Sequence, residues 1–327
     1  MWVCARAVRV SQVLLEPALF GLASAFRGGG ATQAMMVGNA SAGVVVVLAS
    51  VLTRLAAGGG APSAAQLGVS ARLFYALQVG YAVASAAMYL WLLRRSPRLA
   101  AAARGQSEAP VRTAECAASP ALEREAASTR AAALLLGRRL TRLHTAARAC
   151  WLPAACQALC FGVTLAAWPS IPGAACVAGG WMAQGWWFTI VVGVYNVLDF
   201  GARLRLRRLQ AIARRVRPAQ CLRLCVARVA LVPLIYACAA PGLLAGAGGN
   251  VAILLLTAVL AVSNGLLATA SMMQVATLAP PGLHEEGVYV AVAGVYFGLA
   301  SGASFSWVMA HSVMDVGALR CNQTSAG

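Results

Sequence analysis

Lysine is absent from this chain and acidic residues number only nine, so the net charge of +17 is carried by arginine. Charged residues of either sign make up 11% of the 327 residues, against 60% hydrophobic residues and a mean hydropathy of +0.73. A soluble domain has no means of hiding so much apolar surface from water, which excludes that class. The composition predicts an all-α polytopic membrane protein.

Several chemical signatures are missing as well. The sequence has no nucleotide-binding glycine loop, no catalytic triad and no zinc-ligand spacing. Its histidines are too scattered to suggest a metal site: His144, His284 and His311. We therefore predict a protein that is not an enzyme and that holds no metal or cofactor.

The ten cysteines show no extracellular disulfide framework. Most of them fall within apolar stretches, including Cys156/Cys160 and Cys221/Cys225, two pairs with a spacing of four residues. A free cysteine behaves as a small apolar side chain in a helical core. Ordinary packing is therefore the expected function of these residues.

Eight apolar stretches are each about 20 residues long, the length of helix that crosses a bilayer core. We name them spans a to h, and they cover residues 8–26, 33–56, 72–93, 148–168, 182–202, 219–240, 250–276 and 287–311. They divide the chain into residues 1–94 with three spans, a polar linker at 95–147, residues 148–312 with five spans, and a tail at 313–327. The second half of the linker could form an amphipathic surface helix, but a solvated linker is the favoured interpretation.

The arginines predict the orientation of these spans. Eleven of them lie between residues 94 and 148 and seven between residues 203 and 217, in two loops that separate apolar spans. Positive charge concentrates in cytoplasmic loops, which explains this pattern better than binding to nucleic acid. Loops 57–71, 169–181 and 241–249, none of which carries a charge, are then exoplasmic, as is the tail.

Two charges lie inside span e, Asp199 and Arg203 in WWFTIVVGVYNVLDFGAR. An ionisable residue inside a bilayer is costly and marks a functional site by default. The spacing of four residues places both side chains on one helix face, where each can neutralise the other. We predict that the pair acts in substrate binding or gating, together with the nearby Asn196. A structural ion pair that stabilises helix packing is the alternative.

Polar residues in spans a and b suggest a permeation path. Glu16 is the only other acidic residue clearly within a span, and it could line a path for a cation or a proton. Asn39 and Thr53 in span b are separated by about four helical turns, so they are predicted to share a helix face. Tight helix packing through small neighbouring residues explains the same stretch equally well.

Three further patterns predict helix packing. Span f contains Arg228 and Pro233, which predict a helix end followed by a kink. The polar and small residues of Ser263-Asn264-Gly265 in span g predict interhelical hydrogen bonds and a close backbone approach. Glycines recur every four residues in span h as a close-packing ridge: Gly294, Gly298 and Gly302.

Six stretches follow one another along the chain in this order: LFGLAS, TQAMMVGNASAG, WWFTIVVGVYNVLDFGAR, ARVALVPL, SNGLLATASMM and GVYFGLASGASFS. In this order they resemble the equilibrative nucleoside transporter family. The segment SAGVVVVLASVLTRL with the later LLRRS is most similar to the plasma-membrane monoamine transporter branch. That branch moves organic cations as well as adenosine.

The resemblance implies a major-facilitator-type helical bundle in which spans a to h are the family's fourth to eleventh helices and the first three are absent. It matches Asp199 and Arg203 to the family's charged pair, which is implicated in substrate binding or the conformational cycle. Asn39 falls where the monoamine branch has a glutamate and the nucleoside branch has a neutral amide, and Thr53 matches a threonine of the monoamine branch. An amide attracts a cation less strongly than a carboxylate does. Asn39 therefore weakens the cation interpretation, for which Glu16 would have to supply the charge.

The resemblance also implies facilitated diffusion of nucleosides, organic cations or monoamines by alternating access in the plasma membrane. Its partners would be a small-molecule substrate and the lipid bilayer, without nucleic acid. An Asn39→Glu variant should gain cation uptake if this position sets charge preference. The absent helices leave one alternative, a truncated, transport-incompetent membrane protein, from an incomplete gene model or acting as an interaction partner. Another chain would then complete the N-terminal bundle and cover polar groups such as Asn39.

Overall fold

The computed structural model describes residues 15–23, 26, 30–56, 64–97, 99–101, 121–177, 184–206, 216–239 and 247–312. The regular elements of this part of the chain are all helical, which confirms the predicted fold class. We number the principal helices α1 (15–23), α2 (Gly30–Ala56), α3 (Ala64–Arg95), α4 (Ala121–Ala167), α5 (Ser170–Ala174), α6 (Gln184–Leu206), α7 (Pro218–Ala227), α8 (Leu231–Ala239), α9 (Ala247–Leu278) and α10 (His284–Ser312). A turn of 3-10 helix at Arg228–Ala230 joins α7 to α8.

Six helical segments of the described chain are long and apolar enough to cross a membrane. They are Gly30–Ala56, Gly68–Arg95, Leu136–Gly173, Pro218–Ala239, Ala247–Leu278 and His284–His311, and they correspond to spans b, c, d, f, g and h. Span e forms α6, and α1 is the described part of span a. The chain is therefore an integral, multi-pass membrane protein.

The helix that contains span d begins well before the span itself. Residues 121–147, in the predicted linker, continue without a break into the span, so that α4 runs over 47 residues. Alanine, leucine and arginine dominate residues 130–148, and these residues favour a helix over irregular chain. Residues 121–147 are thus helical, while their position along the membrane surface or in water stays a prediction.

Glycines bring α4 and α10 together as the most extensively packed pair of helices. A Cβ atom added to Gly294, Gly298 or Gly302 would lie 2.4, 2.3 and 2.3 Å, respectively, from a backbone oxygen of α4. Those oxygens belong in turn to Ala154, Ala158 and Gly162. The glycine ridge predicted from the sequence is thus confirmed. Because residue numbers rise together along this contact, the two helices run parallel.

The pair formed by α2 and α6 runs in opposite directions. Three contacts along it join Arg54 to Trp186, Gly43 to Asn196, and Met36 to Arg203. Residue numbers fall in α2 as they rise in α6, so these helices are antiparallel. Both directions agree with the alternating orientation that the arginine distribution predicts, in which spans b, d and h leave the cytoplasm and span e returns to it.

The loop after α5 contains a disulfide-bonded cysteine, Cys176. Disulfides persist in oxidising compartments and are rare in the cytosol. The bond therefore agrees with an exoplasmic position for loop 169–181. The free cysteines of the described chain lie in α4, α7 and α8, within the spans.

Helix α3 lies at the edge of the bundle and packs mainly against α2. None of its spanning segment is buried within the protein. Leu77, Val83 and Leu90, for example, are each more than half exposed. An apolar helix without a buried face is suited to contact with lipid on most of its surface.

Candidate substrate pocket and buried polar network

Asp199 and Arg203 form a buried ion pair on α6. Arg203 Nε donates to Asp199 Oδ2 at 2.8 Å, and Arg203 Nη2 donates to Asp199 Oδ1 at 3.2 Å. Both residues are only 5% exposed. The contact of the two side chains on one helix face, as their spacing predicts, is confirmed.

The ion pair also contacts two other helices. Asn264 Nδ2 on α9 donates to Asp199 Oδ1 at 2.9 Å, and Arg203 Nη1 lies 3.8 Å from Met36 Sδ on α2. A Cβ atom added to Gly265 would lie 2.6 Å from the Asp199 carbonyl oxygen, so α9 approaches α6 closely here. The interhelical hydrogen bond and close backbone approach predicted for span g are therefore confirmed. The pair joins α2, α6 and α9 at one point.

A chain of hydrogen bonds extends from this pair to Arg228. Thr164 Oγ1 donates to Asn264 Oδ1 at 3.1 Å and accepts a bond from Arg228 Nη2 at 3.0 Å. Arg228 also donates to one hydroxyl and two backbone oxygens at 2.9 to 3.2 Å, on Ser263, Cys160 and Leu260. The guanidinium thereby connects α4 and α9 to the 3-10 turn after α7.

Arg228 has no carboxylate within ion-pair distance in the described part of the chain. Oxygen dipoles alone hold its charge, although the residue is only 4% exposed. The sequence predicts a helix end here, and α7 does end at Ala227 before the 3-10 turn. The sequence did not predict that Arg228 would connect α7 to both α4 and α9. The signal that could have found it is a full charge within an apolar span.

A second polar site lies where α1, α2 and α10 meet. Glu16 Oε1 accepts a hydrogen bond from Asn39 Nδ2 at 3.0 Å, and Glu16 Oε2 accepts one from Tyr296 OH at 2.9 Å. The carboxylate lines a cavity of about 370 Å³, with Leu15, Leu19, Met35, Asn39 and Ala42. This volume is within the range of small-molecule sites. Both hydrogen-bond donors are neutral, and Glu16 forms no ion pair with a described residue.

Two other predicted site residues lie apart from this cavity. Thr53 is buried, and its hydroxyl donates to a backbone oxygen one turn earlier in α2 at 2.8 Å, whereas Asn39 is exposed near the other end of the helix. Asn196 Nδ2 likewise donates to its own helix, at 2.9 Å, and its side chain packs against Gly43. The structure thus brings Asn39 to Glu16, while Thr53 and Asn196 take part in helix packing. Substrate contact by the latter two stays a prediction.

A cavity between two helices of an apolar bundle, with a carboxylate on its wall that a third helix contacts, is typical of a solute transporter. The sequence matches the family model described as nucleoside transporter over residues 3–311. The chain belongs to the nucleoside transporter family. The match includes the Glu16 cavity and the polar network that extends from Asp199 to Arg228. No curated protein matches the sequence.

The polar residues described above all lie within the part of the chain that matches the nucleoside transporter family. This is a family of transporters rather than enzymes. Two residues that sequence reasoning did not single out contact its candidate sites: Tyr296 at Glu16, and Thr164 between Asn264 and Arg228. A tyrosine or threonine in an apolar span is too common to be distinctive, so neither residue carries a usable signal in one sequence.

Proposed function

We propose that this protein moves nucleosides, and organic amines of similar size, across the plasma membrane by facilitated diffusion. Membership in the nucleoside transporter family supports the nucleoside substrate. The resemblance of its sequence to the monoamine branch supports the amine and the plasma membrane. One observation carries the amine proposal: the Glu16 carboxylate lines a cavity, and the hydrogen-bond donors that reach it from described residues are neutral.

The electrostatics of Glu16 favour a cationic substrate. A carboxylate within a membrane bundle is costly, and neutral donors relieve only part of that cost. A substrate ammonium in the cavity would supply the opposite charge in a medium of low dielectric, where the attraction is strong. Asn39 occupies the position at which the monoamine branch has a glutamate. Since Glu16 lies 3.0 Å from the Asn39 amide, its carboxylate offers a negative charge at nearly the same place.

The same contacts suggest how the cycle is gated. Residues 1–94 and 148–312 form the two halves that would rock against each other around the site. Two contacts join these halves at the candidate sites: Tyr296 with Glu16, and Arg203 with Met36. Both would have to break during the transport cycle. We place Asp199 in the gate, because it holds Arg203 in position for one of them.

Uptake by cells that express the full chain tests the proposed function. Radiolabelled uridine and serotonin should both enter by a saturable route and equilibrate without an applied ion gradient. Surface biotinylation checks that the protein reaches the plasma membrane. If neither substrate enters while the protein is at the surface, the proposal is wrong and the transport-incompetent alternative is favoured.

Removing the charge of Glu16 should separate the two substrates. Glu16→Gln keeps the size of the side chain and one of its two acceptor oxygens, but not its attraction for an ammonium. We expect serotonin uptake to fall by about tenfold or more. Uridine uptake should stay within about threefold of the rate of the unsubstituted protein, because uridine is uncharged and does not depend on this attraction. Initial rates, normalised to surface expression, measure both effects.

A charge-swapped variant is the matched control. Glu16→Gln combined with Asn39→Glu moves the carboxylate from α1 to the adjoining position on α2. We expect this double variant to recover most of the serotonin uptake, because the cavity keeps a single negative charge. Equal loss of both substrates in Glu16→Gln, or no recovery in a double variant that reaches the surface, would show that Glu16 has a structural function instead.

A further inference from the structure

Four thiols face one another between α4 and α7. They belong to Cys156, Cys160, Cys221 and Cys225, and all four residues are fully buried. Within each helix, the spacing of four residues puts both sulfur atoms on one face. The two faces meet, because Cys160 Sγ lies 3.5 Å from Cys225 Sγ. The sequence alone predicts ordinary packing for these residues, since the spacing of each pair does not reveal what the pair faces.

The distances between these thiols suit a bound metal ion. The Sγ atoms of Cys156, Cys221 and Cys225 all lie within 4.8 Å of one another. Thiolates that bind zinc at about 2.3 Å in a tetrahedron lie roughly 3.8 Å apart, so small side-chain movements would close the site. Cys160 lies outside this group of three, but its Sγ is 3.5 Å from Cys225 Sγ, so a further side-chain movement would bring it in as a fourth ligand. Thiolate ligands select Zn²⁺ and Cu⁺ over harder cations.

The charge balance of the surrounding bundle favours an anionic centre. Three thiolates around a divalent ion, or two around a monovalent one, leave one negative charge. Arg228 begins the turn that directly follows α7, and its Nη1 donates to the Cys160 carbonyl oxygen at 3.2 Å. This guanidinium has no carboxylate partner among the described residues. A thiolate centre would thus offset a buried charge that is otherwise balanced only by dipoles.

The position of the thiols favours a metal over a disulfide. Cys221 lies in the first turn of α7, which directly follows the arginine-rich loop 203–217. That loop is cytoplasmic by the positive-inside rule, so the cluster lies in the cytoplasmic half of the bundle. Cytosolic glutathione keeps thiols reduced, and grouped cysteines there are more often metal ligands than disulfides. A metal ion can also reach this end of the bundle as α7 folds.

We propose that Cys156, Cys221 and Cys225, with Cys160 as an available fourth ligand, form a thiolate site for Zn²⁺ or Cu⁺ that ties α4 to α7. Each coordinating thiol loses its proton to water as its sulfur binds the ion. The step needs no oxidant or reductant. The site is separate from the Glu16 cavity and stabilises the bundle rather than contacting a transported substrate.

Metal analysis of the purified full-length protein tests this site. We expect about one ion per chain by mass spectrometry, with Zn²⁺ and Cu⁺ told apart by element. Loading with Co²⁺ should give the near-ultraviolet absorption of thiolate-to-cobalt charge transfer, which requires sulfur ligation. Cys225→Ser should lose most of the bound metal and the absorption band. A chelator should lower the melting temperature of the unsubstituted protein but leave that of Cys225→Ser unchanged.

Cys150→Ser is the matched control, because Cys150 is a buried free cysteine on α4 outside the thiol cluster. It should retain the metal, the band and the chelator effect. Absence of Zn²⁺ and Cu⁺ after growth with both would overturn the proposal. Equal metal in the two variants, or disulfide-linked cluster peptides without metal, would do the same. If Cys225→Ser does not fold, the cobalt band of the unsubstituted protein still decides the question.

Discussion

Replacing Asp199 with alanine should remove most of the folded protein from the membrane. The substitution leaves the buried Arg203 guanidinium without its carboxylate and the Asn264 amide without its acceptor. Breaking a buried ion pair by removing one partner costs about 3–5 kcal/mol. A loss of this size is a large fraction of the stability of a typical domain. Thermal unfolding in detergent and surface biotinylation should both report the loss.

A double variant separates folding from transport at this pair. Asp199→Asn combined with Arg203→Met removes both charges together, which is often neutral for stability, and it keeps an oxygen that accepts from the Asn264 amide. We expect surface expression to recover and uptake to remain low, because the variant loses the Arg203 contact with Met36 that we propose as part of the gate. Full recovery of uptake would mean that the pair is only a packing device, the alternative that the sequence left open.

The ion pair between Arg142 and Glu286 is the matched control for a lost salt bridge, because its cation lies partly in water. The Arg142 side chain is 52% exposed and the Glu286 side chain 19% exposed. Surface ion pairs contribute about 0–1 kcal/mol because water and salt screen them. Arg142→Ala should therefore change neither the melting temperature nor uptake by much. A large effect here would indicate that the loss in Asp199→Ala does not come from burial.

Much of the helical architecture could be predicted from the sequence, because it depends on local physical chemistry. Runs of apolar residues predict spans, and arginine-rich loops predict their direction. The pairing of Asp199 with Arg203 and the glycine ridge of span h follow from helical periodicity. In each case the residues that interact, or the face they share, lie within one helix.

The sites between helices could not be predicted in the same way. Tyr296 and Glu16 are separated by 280 residues, and only tertiary packing brings them together. The two cysteine pairs are each visible in the sequence, but their contact requires α7 to lie beside α4. A shared helix face does not predict a shared environment either. Helical periodicity puts Thr53 on the face of Asn39, but Thr53 is buried while Asn39 is exposed, because different helices cover the two ends of α2.

A methyl group on the glycine ridge should separate α4 from α10. In Gly298→Ala, the new Cβ atom would lie 2.3 Å from the Ala158 carbonyl oxygen and 3.0 Å from its Cα atom. These are backbone atoms of a helix, so no single side chain can move to make room. Overpacking of this kind costs about 1–3 kcal/mol, and combining the change with Gly294→Ala should lower the melting temperature further.

The same substitution should also weaken transport. Tyr296 lies between Gly294 and Gly298 on α10, so moving this helix away from α4 would shift the hydroxyl that donates to Glu16. Gly80→Ala is the matched control, because nothing lies within 4 Å of the added methyl group, and replacing a helix glycine should stabilise by about 0.5–1 kcal/mol. Melting temperature and initial uptake rate should fall in Gly298→Ala and hold in Gly80→Ala. Equal behaviour of the two variants would mean that the ridge does not set the distance between α4 and α10.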